Sequence, residues 1–176
     1  MVEEGTDLLV EAVEGSDAWR VTSYGFIHDS EHGLLAPLPQ DTAVEVSFIA
    51  AFEAQFDQAG VLLRAAHDAW VKAGVEFADG APQVGAVVTN PVSDWSVAPV
   101  PEWLGRSVTV RASRSGDAVT IRARVEDGPF RLVRVAPFPV DADLEAGPYC
   151  CAPTRGGLVV RFTRWAVGPA DGSLHA

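Results

Sequence analysis

Tight-turn dipeptides punctuate the chain at short intervals, and no amphipathic helix fits between them. Asp79-Gly80, Ser115-Gly116-Asp117 and Asp127-Gly128 carry the residue types that tolerate the backbone of a hairpin turn. The runs beside them have strand length and are rich in Val: Trp70 to Phe77 and Val84 to Thr89, Ser107 to Ser113 and Ala118 to Val125, then Phe130 to Val135. Gln58 to Ala65 precedes this series, Asp7 to Val13 opens it, and Leu158 to Thr163 with Arg164 to Val167 closes it. Val44 to Phe56 supports two periods. Phe48, Phe52 and Phe56 fall at i, i+4, while Val44, Val46, Phe48, Ala50 and Phe52 alternate. Its flanks are β, so a strand is expected. Asp17 to Gly33 shows neither period, and Leu34 to Gln40, with two prolines, is expected to be loop. Ten or more strands about 8–12 residues apart predict an all-β fold, a two-sheet antiparallel sandwich. The 16 glycines and 12 prolines suit such a turn-rich chain. With 176 residues, no repeat and no linker, the expectation is a single domain over residues 1–176, its core about residues 7–168.

Charge and cysteine usage narrow the function. Acidic residues outnumber basic ones 24 to 13, a net charge of −11, which argues against sequence-independent binding to nucleic acid or an anionic membrane. Met1 to Glu14 is acidic where a secretory signal is basic, and no run approaches the ~20 apolar residues of a membrane span. The two cysteines, Cys150 and Cys151, are adjacent, so on an extended chain they point to opposite faces and a mutual disulfide is strained. A reduced, buried pair in a cytoplasmic protein is expected.

A longer pattern runs through the middle of the chain. Asp57-Gln58-Ala59-Gly60-Val61-Leu62-Leu63-Arg64 is followed by Trp70-Val71-Lys72-Ala73-Gly74-Val75-Glu76-Phe77, Asp79-Gly80, Val87-Val88-Thr89 and Ser93-Asp94-Trp95-Ser96. Upstream stand Trp19-Arg20 and Tyr24-Gly25-Phe26-Ile27-His28-Asp29; downstream stands Gly147-Pro148-Tyr149-Cys150-Cys151-Ala152-Pro153. Over roughly Asp17 to Arg161 this text resembles the "regulation of enolase" protein family of the concanavalin A-like lectin/glucanase superfamily. The resemblance implies a jelly-roll sandwich with one convex and one concave sheet, and no particular reaction.

Strand parity sets out the candidate site. Trp70, Lys72, Gly74 and Glu76 share one face, and Val71, Ala73, Val75 and Phe77 make a plain core face. On the preceding strand Gln58, Gly60, Leu62 and Arg64 share a face. If the polar sets face together on the concave sheet, Gln58, Arg64, Lys72 and Glu76 cluster there. Two readings are open: an ion-pair ladder on a solvated sheet, or a groove in which planar polar groups meet sugar hydroxyls and an aromatic ring stacks on the sugar face. Trp70 or Trp95 is expected at its margin, Trp95 being either a stacking platform or a lid. Tyr24, His28 and Asp29 are expected on an adjoining loop. His28, Asp29 and His32 are metal-ligand types, but offsets of one and four fix no ligating geometry, and neither a metal nor another cofactor is expected. Ser93 and Asp94 follow a strand and are expected to close a turn. Arg111, Arg114, Arg122, Arg124, Arg131 and Arg134 read as a solvated sheet face.

Catalysis has weaker support. Glucanases of the superfamily carry several acids alternating along one strand, whereas Val71 to Glu76 offers one acid, with Lys72 four residues earlier expected to hold it ionised. A non-catalytic ligand-binding domain, for carbohydrate or a similar polar small molecule, is the expected function. The site residues are Tyr24, His28, Asp29, Gln58, Arg64, Trp70, Lys72, Glu76, Asp94 and Trp95. The alternatives are an intracellular regulatory or protein-interaction domain, and a glycoside hydrolase using Glu76 with Asp94 or Asp29.

Overall fold

Each turn dipeptide closes a hairpin in the computed structural model, which describes residues 6–175. In chain order the first strands are β1 (Leu8–Glu11), β2 (Ala18–Arg20), β3 (Ile27–Asp29), β4 (His32–Gly33), β5 (Ala36–Pro37), β6 (Thr42–Ile49) and β7 (Gln58–Ala66). Then come β8 (Ala69–Ala78), β9 (Ala81–Thr89), β10 (Ser93–Pro99), β11 (Ser107–Ser115), β12 (Ala118–Val125), β13 (Arg131–Pro137), β14 (Glu145–Cys151) and β15 (Val159–Pro169). One sheet is ordered β1-β15-β6-β11-β12-β13 and the other β10-β9-β8-β7-β14-β4, with β5 also on β14. Both are antiparallel. This is the jelly-roll sandwich class. Among the described residues no helix is long and apolar enough to cross a membrane.

Alternation builds the core. Ala59, Val61 and Leu63 of β7 and Val71, Ala73 and Val75 of β8 meet Val44, Val46 and Phe48 of β6, Val108 and Val110 of β11 and Ile121 of β12. Burying each large side chain here contributes roughly 1.5–3 kcal/mol. A second, smaller apolar cluster lies on the opposite face of the β7–β8 sheet. There Leu62, Trp70, Val87, Tyr149 and Cys151 are covered by Ala18 and Trp19 of the β2–β3 hairpin. Cys150 packs in the main core and Cys151 in the second cluster, as alternation requires. Both thiols are free, and burial pushes each up to about 12.

Several expectations are corrected. The strand expected over Val44 to Phe56 ends at Ile49. Asp57 accepts the backbone N–H groups of Glu53 and Ala54, both at 3.1 Å, and Phe56 takes a φ of +67°, so the chain curls while Phe52 still stacks on Phe48. Ser93 and Asp94 start the edge strand β10 instead of a turn. The two strands expected over Leu158 to Thr163 and Arg164 to Val167 are one, Val159–Pro169, with a register shift between Phe162 and Arg164. The Asp17–Gly33 segment holds β2, β3 and β4, so His28 and Asp29 lie on a strand and not on a loop, and Ala36–Pro37 pairs briefly within the expected loop. Arg114 is buried, not solvated. It shares parity with Val108, Val110 and Ala112, and its guanidinium donates to the carbonyls of Leu38 and Ala142, both at 2.6 Å.

Candidate functional site

Interstrand register arranges the outer face of the β7–β8 sheet in rows. One row joins Cys151, Gln58, Glu76 and Gln83 across β14, β7, β8 and β9. The next joins Tyr149, Gly60, Gly74 and Gly85. A third joins Gly147, Leu62, Lys72, Val87 and Trp95, and a fourth Glu145, Arg64, Trp70 and Thr89. The three glycines leave a side-chain-free trough. A Cβ at Gly74 would stand 2.7 Å from Gly60 Cα and collide with the Ala59 carbonyl oxygen. Side chains from the third row therefore reach across the trough to the first. Lys72 Nζ donates to Gln58 Oε1 at 2.9 Å, and Trp95 Nε1 donates to Glu76 Oε1 at 2.7 Å.

The β2–β3 hairpin closes the site from above. Asp17, just before β2, accepts Lys72 Nζ at 2.8 Å and its own neighbour's amide, Ala18 N, at 2.8 Å through Oδ1. Arg20 ties the other end of β2 to the β9–β10 turn through Ser93 Oγ and the Pro91 carbonyl. Between hairpin and sheet lies a cleft of about 310 Å³. Its wall is a run of rings. Trp95 meets Trp19 edge-on at 6.2 Å, Trp19 meets Tyr24 edge-on at 5.7 Å, Tyr24 stacks on Phe26 at 5.1 Å, and Phe26 meets the His28 ring at 4.5 Å. Tyr24, Phe26 and Trp95 are 55%, 40% and 39% exposed, so the wall is open to a ligand.

Burial pushes the Glu76 carboxyl above its ordinary range; the Lys72 charge and the Trp95 hydrogen bond oppose this without cancelling it. Lys72 was expected to hold Glu76 ionised. Its ammonium is instead bonded to Asp17 and Gln58, so its pull on Glu76 is through space only. Tyr149, whose hydroxyl lies 3.4 Å from Gln58 Oε1, is pushed well up by burial.

The structure brings together Gln58, Lys72, Glu76, Trp95, Tyr24 and His28, all of which line this cleft. It separates four others. Arg64 has the right parity, but it sits in the fourth row beyond Leu62 and pairs with Glu31. Trp70 is 3% exposed inside the second apolar cluster, so its faces are unavailable for stacking. Asp29 points to a different depression beside Arg64 and His67. Asp94 pairs with Arg134 of β13 at 2.7 Å on an adjoining groove. Asp17, Trp19, Phe26 and Tyr149 escaped sequence reasoning. Asp17 is 55 residues from the lysine it holds, and β14 carries too many Gly, Pro and Cys residues to show a strand period. Among the described residues no three His, Cys, Asp or Glu side chains stand together as metal ligands.

Residues 1–170 match the family described as "Protein of unknown function (DUF1349)". The chain belongs to this family. A relative in the family's sequence neighbourhood, "Regulation of enolase protein 1" of Saccharomyces cerevisiae, is 35% identical over 174 residues, covering 98% of this chain and 87% of the relative. A crystal structure titled as a functionally unknown protein from Saccharomyces cerevisiae superposes with a TM-score of 0.89 at 34% identity, over 97% of this chain and 92% of that one. The sandwich also matches part of a xylan β-1,4-xylosidase from Bacillus halodurans C-125, with a TM-score of 0.72 at 11% identity, over 92% of this chain and 32% of the enzyme. At that identity the likeness is one of fold.

Proposed function

We propose that the protein binds a small polar ligand, carbohydrate in class, in the cleft between the β2–β3 hairpin and the outer face of the β7–β8 sheet, without catalysing a reaction on it. One observation carries this reading: partly exposed rings of Trp95, Tyr24 and Phe26 share one cleft with buried Gln58 and Lys72 and half-buried Glu76, beside a trough that glycines keep clear. A sugar offers the matching surfaces, an apolar ring face for the aromatic wall and hydroxyls for the carboxylate and amide. A glycan array tests it. Retention of defined glycans is expected, with Trp95→Ala weakening binding by about tenfold through the lost ring contact while the melting temperature barely changes. If no glycan is retained, the reading fails. Reducing-sugar release from the retained glycans separates binding from hydrolysis.

The name of the yeast relative favours a second reading, a regulatory protein that docks on a protein partner. Binding that survives Trp95→Ala and Glu76→Gln but requires a protein partner would favour it over the first.

A further inference from the structure

Hydrogen bonding on the floor of the cleft is one-sided. The Tyr24 hydroxyl and the His28 ring line the cleft without a hydrogen-bond partner among the described residues, whereas the donors of its floor are engaged: Lys72 Nζ on Asp17 and Gln58, Trp95 Nε1 on Glu76, Gln58 Nε2 on the Phe56 carbonyl at 3.1 Å. Its acceptors are not. Asp17 Oδ1 and Glu76 Oε1 take those bonds, whereas among the described residues no N–H or O–H donates to Asp17 Oδ2 or Glu76 Oε2. Both side chains line the cleft. Ionised, the two carboxylates outnumber the single ammonium of Lys72, in a protein whose net charge is −11.

The aromatic wall has the matching geometry. Trp19, 8% exposed, stands edge-on to Trp95 at 87° and to Tyr24 at 80°, and so holds in place the two more exposed rings at the cleft. Ring faces attract a cation within about 6 Å of the ring centre, most strongly where water is excluded. An ammonium supplies both missing partners: N–H donors for the two free carboxylate oxygens and positive charge for the rings. An anionic group would meet the repulsion of two carboxylates.

We infer that the ligand of this cleft carries a protonated amine, with Glu76 and Asp17 accepting its N–H groups against the rings of Tyr24 and Trp95; within the carbohydrate reading this means an amino sugar. The inference deepens that reading and rests on the cleft being the ligand site.

Calorimetric titration, with tryptophan fluorescence as a second readout, tests it on the whole chain. The probes are glucosamine and galactosamine, their N-acetylated forms, glucose and galactose, glucosamine 6-phosphate, and ethanolamine as a protonated amine that is not a sugar. The free amines are expected to bind at least about tenfold more tightly than the acetylated, neutral and phosphorylated counterparts, the discrimination given by one charge-assisted contact. Glu76→Gln should abolish that preference while keeping the acceptor for Trp95 Nε1, with a thermal melt confirming that the variant folds. If neutral sugars bind as well as the amines, the inference is overturned and the carbohydrate reading stands. If ethanolamine binds as tightly as glucosamine and neutral sugars do not bind, the amine inference stands and the carbohydrate reading falls. If nothing binds, both fall.

Discussion

Glu76 is the residue at which the cleft departs most from an ordinary sheet surface. Alternation puts it beside Gln58, Trp95 caps one of its oxygens, and burial raises its carboxyl above the unfolded value of 4.5. An acid so raised contributes stability below pH 4.5, and that contribution is lost as pH climbs through the folded value. Glu76→Gln carries no proton to lose. Its melting temperature relative to the native protein should therefore rise as pH increases from about 4.5 and level off once Glu76 has ionised. Thermal melts from pH 4 to 8 measure this. A native protein that gains stability over the variant across that range would mean that Lys72 outweighs burial.

At the scale of the element, the decisive feature is the glycine row through β7, β8 and β9. Lys72 and Trp95 reach Gln58 and Glu76 because no side chain stands between them, and the strands approach too closely there to accept one. Gly74→Ala should destabilise the protein by about 3 kcal/mol, because a backbone carbonyl, unlike a flexible side-chain tip, cannot move aside. Gly168→Ala on β15, where a Cβ meets open space, should change stability by no more than about 0.5 kcal/mol. Urea unfolding of the pair checks both, and equal values would remove the steric account of the trough. The β2–β3 hairpin is the other decisive element. Its strands are three residues each, held by Asp17 at one end and Arg20 at the other, and it converts an open sheet face into a cleft.

At the scale of the whole molecule, the two cysteines report on the sandwich as a unit. They lie on opposite faces of β14, in separate apolar clusters, with thiols pushed up to about 12, so neither offers a reactive thiolate while the sheets hold. Thiol titration should find almost no reaction in the native protein and two thiols after denaturation without reductant. Rapid labelling of one thiol under native conditions would show that its cluster opens on its own. The sandwich was legible in the chain because turn dipeptides and period-2 alternation are local. Asp79-Gly80 and the Val71, Ala73, Val75 set needed no knowledge of anything distant. Face assignments within a strand were legible for the same reason, which is why Gln58, Lys72 and Glu76 were found. Position along the strand was not. Arg64 shares their parity, yet it stands three rows from Gln58 with Leu62 between, whereas Lys72 stands two rows away with only glycines between. Nor could any spacing rule connect Asp17 to Lys72, or foresee that Trp70 lies beneath a hairpin whose own segment shows no period. Those contacts arise from how separate strands and a short covering hairpin come together in space, and local pattern carries no information about such distances.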